Sequence, residues 1–161
     1  MTYATVRDEI HTQLSAVSGI GRVFKYPRLV SDWAQFLNLF KDSSDKINLA
    51  WIDRISAEDT PTGVGTEDAT GEIEWTQLIE TWQIDLYYGF KDDDSAPSMY
   101  TFQGLVDSIS NKFRFLQNLN GVADKSYPLQ VVASGLFEFK GEVLCHRAIF
   151  HLRVRDRKQG S

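Results

Sequence analysis

One run of 19 residues, from Glu72 to Phe90, constrains the fold most, because nearly all of it has the composition of a β-strand. A straight strand of this length would span about 60 Å, which is too long for a chain of this size. The parity of its apolar positions also changes along the run, from Ile73, Trp75 and Ile79 to Trp82, Ile84, Leu86 and Tyr88. One extra residue produces such a change, so we expect a β-bulge between Leu78 and Trp82 and a hairpin that leans away from the body.

The preceding stretch, Ser56 to Gly71, contains 16 residues that are mostly Thr, Gly, Glu and Asp. Connections in compact domains are usually shorter, so we predict a flexible arm loop over residues 56–71 that serves a function. Trp75 follows this loop closely, and tryptophan is a residue type that often anchors interfaces. The candidate partner-binding residues on the arm loop and beside it are Asp59, Thr62, Val64, Glu67, Asp68 and Trp75.

Three amphipathic helices are predicted from apolar positions spaced three or four residues apart. Their apolar stripes are Val6, Ile10, Leu14 and Val17; Trp33, Phe36, Leu37 and Phe40; and Phe102, Leu105, Val106, Ile109 and Phe113. Further strands are predicted over residues 22–26, 47–55, 129–133, 136–139 and 144–154. Runs of adjacent strands favour an α+β fold with an antiparallel or mixed sheet, about three helices mainly on one side, and a protruding β-hairpin arm.

The length of 161 residues is typical of a single domain, and we assign that domain to residues 1–156 and a disordered tail to residues 157–161. The single cysteine, Cys145, excludes an intramolecular disulfide and fits a reducing compartment. No stretch has the apolar length of a signal peptide core or a membrane span. We therefore expect a cytoplasmic protein that is not exported and does not bind membranes.

The formal net charge is −5, from 17 Lys and Arg against 22 Asp and Glu, and it argues against broad adhesion to nucleic acid. The charges are unevenly distributed, since acids gather near residues 58–74 and 92–94 and bases near the C-terminus. Such segregation favours contacts between copies of the chain. The candidate subunit-interface residues are Arg147, Arg153, Arg155, Asp92, Asp93 and Asp94. A nucleic-acid-binding module that uses the basic C-terminal strand remains an alternative.

No catalytic or metal-binding pattern is found. Cys145 and His146 are neighbours on a predicted strand and point to opposite faces, while Cys145 and His151 lie roughly 20 Å apart on one face. The three acids at 92–94 lack the glycine and glutamate that complete a calcium loop. We expect a protein that is not an enzyme and has neither a metal nor a cofactor.

The order of elements resembles that of a protein family, on segments spread over most of the chain. These are Ile20-Gly21-Arg22-Val23 after the first helix, Leu49-Ala50-Trp51-Ile52, Tyr87-Tyr88-Gly89-Phe90, the helix from Phe102 to Phe113, and the closing strand from His146 to Val154. In this layout the chain is similar to the tail terminator, or tail completion, proteins of long-tailed bacteriophages. The family has no invariant motif, so no residue role is carried over.

The resemblance implies a homo-oligomeric ring, commonly of six copies, that caps the finished tail tube, ends its polymerisation and offers an attachment surface to the neck. The implied partners are the tail tube protein and a neck or connector protein, with DNA passing through the lumen. The implied location is the virion near the head-tail joint, after assembly in the host cytoplasm. A neck or head-completion protein on the portal side is the alternative from the same virion.

Overall fold

The computed structural model describes residues 1–28, 33–41, 46–64, 74–91, 97–139 and 143–159. The helices described are α1 (Tyr3–Ser15), α2 (Trp33–Phe40) and α3 (Ser98–Arg114). The strands described are β1 (Arg22–Phe24), β2 (Asn48–Val64), β3 (Glu74–Gly89), β4 (Lys125–Ser126), β5 (Gln130–Phe139) and β6 (Val143–Gln159).

All six strands form one mixed sheet in the order β1-β2-β3-β6-β4, with β5 also paired to β6. The pair β1–β2 is parallel and the other pairs are antiparallel. Both β4 and β5 lie along the edge of β6 that β3 leaves free, at different heights. The sheet and helices confirm the predicted α+β class.

The main core lies between α1, α3 and one face of the sheet, which we call the helix face. The predicted apolar stripes of α1 and α3 are buried throughout. They pack on alternate residues of the three long strands, chiefly Ala50, Ile52, Trp82, Ile84, Leu86, Ala148, Phe150, Leu152 and Val154. This alternation is what a sheet with one face covered by helices requires.

The opposite face, which we call the second face, has a smaller core at one end of the sheet. It is made by Phe40 at the end of α2 together with Ile47, Leu49, Tyr87 and Cys145. The helices therefore lie mainly on one side, as expected, and α2 contributes Phe40 to the other. The side chains of the remaining α2 stripe lie outside the described residues.

The β-bulge is not in β3, so that prediction is wrong. β3 pairs with β6 without a register shift from Trp75 to Gly89. The shift lies in β2, where Ile55 is the extra residue beside the Thr81–Trp82 step. The parity argument failed because Ile79 lies beyond the helix-covered core on the second face, so its position does not report which face is buried there.

The predicted loop at 56–71 is also wrong for its first nine residues, since β2 continues to Val64 and pairs with β3 as far as Glu74. The predicted disordered tail is wrong for residues 157–159, which extend β6 beside β3. In both segments cross-strand hydrogen bonds stabilise a polar sequence that its composition alone marks as irregular. Residues 65–71 and 160–161 lie outside the described residues.

The two short strands predicted at 129–133 and 136–139 are a single strand, β5, with a register shift between Val131 and Ala133. The two-residue strand β4 was not predicted. It pairs with Arg155 and Val154 of β6, which are about 30 residues away in the sequence, and pairing over such a separation leaves no local pattern.

Candidate interaction surfaces

Three strands continue past the helix-covered core and form an extension that we call the three-stranded arm. The core residues nearest to it are Ile52, Trp82 and Val154. The arm consists of residues 57–64 of β2, 74–79 of β3 and 155–159 of β6. Residues 57–60 are exposed, so this part of β2 has no helix or loop of the described chain over it.

A buried carboxylate joins the arm to the core. Glu80 is 1% exposed, and its Oε2 accepts a hydrogen bond from Nε1 of Trp82 at 3.0 Å while Oε1 accepts one from Nη1 of Arg54 at 2.8 Å. Tyr3 of α1 stacks on the Trp82 ring at 5.2 Å, and the Arg54 guanidinium lies 4.7 Å from the Tyr3 ring centre. The base of the arm is thereby joined to the core strands by hydrogen bonds and to α1 by ring contacts.

On the second face, Asp85 is the centre of a polar network and is 2% exposed. It accepts hydrogen bonds from Nε1 of Trp51 at 3.1 Å, Nε2 of Gln83 at 2.7 Å and Nε of Arg147 at 3.0 Å. Nη2 of Arg147 donates a fourth hydrogen bond to the same carboxylate. Four hydrogen bonds from three side chains satisfy a buried carboxylate, so Asp85 orients this part of the sheet. Burial raises the pKa of Tyr87 beside it.

The predicted separation of Cys145 and His146 is confirmed. Cys145 belongs to the core of the second face, and burial raises the pKa of its thiol to about 11, which keeps it protonated and unreactive. His146 lies on the helix face, stacked on Phe102 at 5.0 Å, with Nε2 2.9 Å from the Ser98 hydroxyl. The two side chains do not form a catalytic pair.

The structure places four of the six predicted arm residues on the three-stranded arm. Asp59 is exposed on β2 opposite Leu78, and Thr62 and Val64 follow it in the same strand. Trp75 lies on β3 opposite Gln159. Glu67 and Asp68 lie outside the described residues, as do the side chains of Thr62, Val64 and Trp75. Partner binding by this set stays a prediction.

The predicted subunit-interface arginines differ in their surroundings. Arg147 is held by Asp85, and Arg155 forms an ion pair with Asp124 at 2.9 Å. Arg153 is exposed, with its guanidinium 5.4 Å from the Tyr127 ring centre. Asp92, Asp93 and Asp94 lie outside the described residues. An intersubunit role for these residues stays a prediction, and Arg153 is the arginine of the three that faces solvent most openly.

Charge differs between the two sides of the second face, a feature that the sequence did not reveal. The β2 side, which we call the acidic edge, carries Asp53 and Glu58. The β6–β4 side, which we call the basic edge, carries Lys125, Arg153, Arg155 and Arg157. Alternating arginines in residues 153–157 gave a partial signal, but only the strand register shows that they share a face with Glu58.

An open depression of about 820 Å³ lies beside the basic edge. It is lined by Arg114, Phe115, Gln117, Asn118, Asp124, Lys125, Ser126 and Pro128. Among the described residues, no group of three His, Cys, Asp or Glu side chains is arranged to hold a metal ion. Within the same residues, no helix combines the length and apolar character needed to cross a bilayer.

Comparison with known proteins gives no family: neither the models of protein families nor the curated proteins contain a match to this chain.

Proposed function

We propose that this protein is a structural component of a long-tailed bacteriophage that forms a ring on the end of the tail tube. In this role it ends polymerisation of the tube and offers a surface for attachment of the neck. The observation that carries the proposal is the three-stranded arm, a paired extension of the sheet whose β2 residues 57–60 are exposed.

The arm has the backbone geometry of a docking element. β1 pairs with β2 only as far as Trp51, and β4 pairs with β6 only at Val154 and Arg155. The outer edges of residues 57–64 of β2 and 156–159 of β6 therefore lack a sheet neighbour within the described chain. Exposed strand edges bind other chains readily, and proteins that do not use them usually cover or block them.

The distribution of charge supports assembly between copies. Acidic and basic groups occupy opposite edges of one face, so two copies related by a rotation present unlike surfaces to each other. Contacts of this head-to-tail type close into rings when the rotation divides a full turn. A capping ring on a tube needs this symmetry.

A test of the proposed function mixes the purified chain with growing tail tubes. We expect tube length to stop increasing and extra density to appear at one tube end in negative-stain electron microscopy. A matched control replaces Asp107, an exposed acid on α3, with Lys and keeps both effects. Tubes that elongate at an unchanged rate in excess protein, with bare ends, would contradict the proposal.

Two alternatives make different predictions. A neck or head-completion protein would bind the portal rather than the tube end, which labelled protein distinguishes by position in micrographs. A nucleic-acid-binding module would use the basic edge, where Lys125 and Arg153 flank the Tyr127 ring. Its affinity for DNA would fall steeply with salt and be lost when Arg153 and Arg155 are both changed to Ala.

A further inference from the structure

One row of residues crosses the second face of the sheet from the acidic edge to the basic edge. Glu58 of β2 lies opposite Ile79 of β3, and Ile79 lies opposite Arg155 of β6. Arg155 in turn lies opposite Lys125 of β4. Directly paired residues share a face, so the outermost side chains of this row are a carboxylate on one side and an ammonium on the other.

The outer charges of this face are not neutralised inside the described part of the chain. Asp53 and Glu58 form no ion pair there, and neither do Lys125 and Arg153. Both cations lie instead against the ring of Tyr127, with Lys125 Nζ 4.9 Å from its centre. Arg155 is the exception, since it binds Asp124.

The two ends of the row cannot meet within one molecule. Three strand spacings separate β2 from β4, which is about 14 Å. A second copy placed beside the first removes this separation, because its acidic edge then faces the basic edge of its neighbour.

The helix-face side of the arm does not offer the same complementarity. There the row consists of Asp59, Leu78 and Asp156, and the Asp156 carboxylate is paired with the N-terminal ammonium of Met1 at 2.8 Å. This row therefore presents no basic side chain to Asp59 of a second copy. The difference fixes which face of the arm forms the attractive contact.

We infer that the acidic edge of one copy binds the basic edge of the next copy through the second face, with Glu58 of one copy against Lys125 of the other. This inference rests on the proposed ring and identifies its subunit contact. A closed ring has no displacement along its axis from copy to copy, so residues of one row meet at the same height when the strands run along that axis. Asp53 and Arg153 lie on the body side of this pair, opposite Gln83 and Thr81 of β3, and extend the contact in that direction.

Cysteine cross-linking tests the contact directly. The variant that combines Glu58→Cys with Lys125→Cys is expected to form, on mild oxidation, a ladder of linked species that stops at a fixed copy number. A bond within one chain is excluded, because the two sites are about 14 Å apart and a disulfide needs Cα atoms within about 7 Å. The native Cys145 is buried and stays in place.

The controls are the two single-cysteine variants and the combination of Glu58→Cys with Lys112→Cys, where Lys112 is an exposed residue of α3. Single variants can form dimers at most, and the Lys112 combination should form no extended ladder. A Glu58/Lys125 variant that gives no more linked species than these controls would overturn the inference.

Charge reversal provides a second measurement, by sedimentation velocity in the presence of tubes. Glu58→Lys and Lys125→Glu are each expected to weaken assembly by roughly tenfold or more, and the double variant to recover most of it. The wild-type contact should also weaken as salt rises, because these groups are exposed. Equal assembly in all four proteins would contradict the pairing.

The outcomes separate this inference from the proposed function. Rings that cap tubes but show no Glu58/Lys125 cross-link would leave the function standing and reject the contact. Cross-linked closed rings that leave tubes uncapped would support the contact and reject the proposed function. Cross-linking at control level, together with DNA binding that Lys125→Glu removes, would assign the basic edge to nucleic acid.

Discussion

The same three strands, β2, β3 and β6, have opposite characters in the helix-covered body and in the three-stranded arm. In the body, alternate residues such as Ile84, Phe150 and Leu152 are fully buried beneath α1 and α3. In the arm, the β2 residues 57–60 are all exposed, and charge separates across the sheet rather than between its faces. The body is therefore specified by burial, whereas the arm keeps its strand structure by pairing and leaves the side chains of residues 57–60 exposed to other molecules.

The largest difference in stability is expected between substitutions in the core and substitutions in the arm. Phe150→Ala removes a fully buried ring from the helix face and should lower the free energy of unfolding by about 3–5 kcal/mol. Ile79→Ala, in the half-buried arm, should cost about 1 kcal/mol or less. Urea denaturation followed by circular dichroism measures both. Similar losses for the two variants would show that the arm has a core of its own.

A matched pair of glutamates sharpens the boundary between the two regions. In Glu80→Gln, the new amide NH2 group faces a donor, either Trp82 Nε1 or Arg54, and the free energy of unfolding should fall by about 1.5–3 kcal/mol. Glu58→Gln changes an exposed side chain and should alter it by less than about 0.5 kcal/mol. Equal denaturation midpoints for both variants would argue against the Glu80 network as the joint of the arm.

The body should also respond to acid through His146. Ser98 Oγ donates its proton to the Lys91 carbonyl, so it accepts a hydrogen bond from His146 Nε2. A second proton on the His146 ring would bind at Nδ1, which has no hydrogen-bond partner among the described residues. Burial lowers the pKa of His146 below its usual 6.5. The unfolded chain then binds the proton more readily, so stability is complete above about pH 6.5 and is lost as pH falls through the folded pKa.

Denaturation midpoints measured from pH 8 to pH 5 follow this loss. His146→Gln should have a lower stability throughout and a smaller change over this range. An unchanged slope in the variant would assign the acid sensitivity to another group.

The smallest effect on stability is expected at the surface of the arm. Asp59→Ala should change the free energy of unfolding by less than about 0.5 kcal/mol, because its carboxylate is exposed and has no ion pair in the described chain. If Asp59 contacts the tube or neck, the same change should reduce tube-end occupancy in micrographs. A large loss of stability would show instead that the arm side chains hold the fold.

The sequence predicted the body well because its signals are local. The spacing of Val6, Ile10 and Leu14 reports a helix directly, and the alternation in residues 144–154 reports a strand with one buried face. A protruding β-hairpin arm was predicted, but the strand structure of residues 56–64 was missed, since this polar stretch has no apolar period and its pairing depends on distant partners in β3. The bulge at Ile55 and the row from Glu58 to Lys125 follow from cross-strand register, which no local pattern encodes.

Pairing between β3 and β6 runs without interruption from Gly89 opposite Cys145 to Trp75 opposite Gln159. The body and the arm are thus one continuous pair of strands with no hinge between them. A load applied at the tip of such an element travels along the strands into the core as shear on many hydrogen bonds at once. A partner that binds the arm therefore sets the orientation of the whole subunit. In the proposed ring, subunits of this kind would resist bending at the tube end.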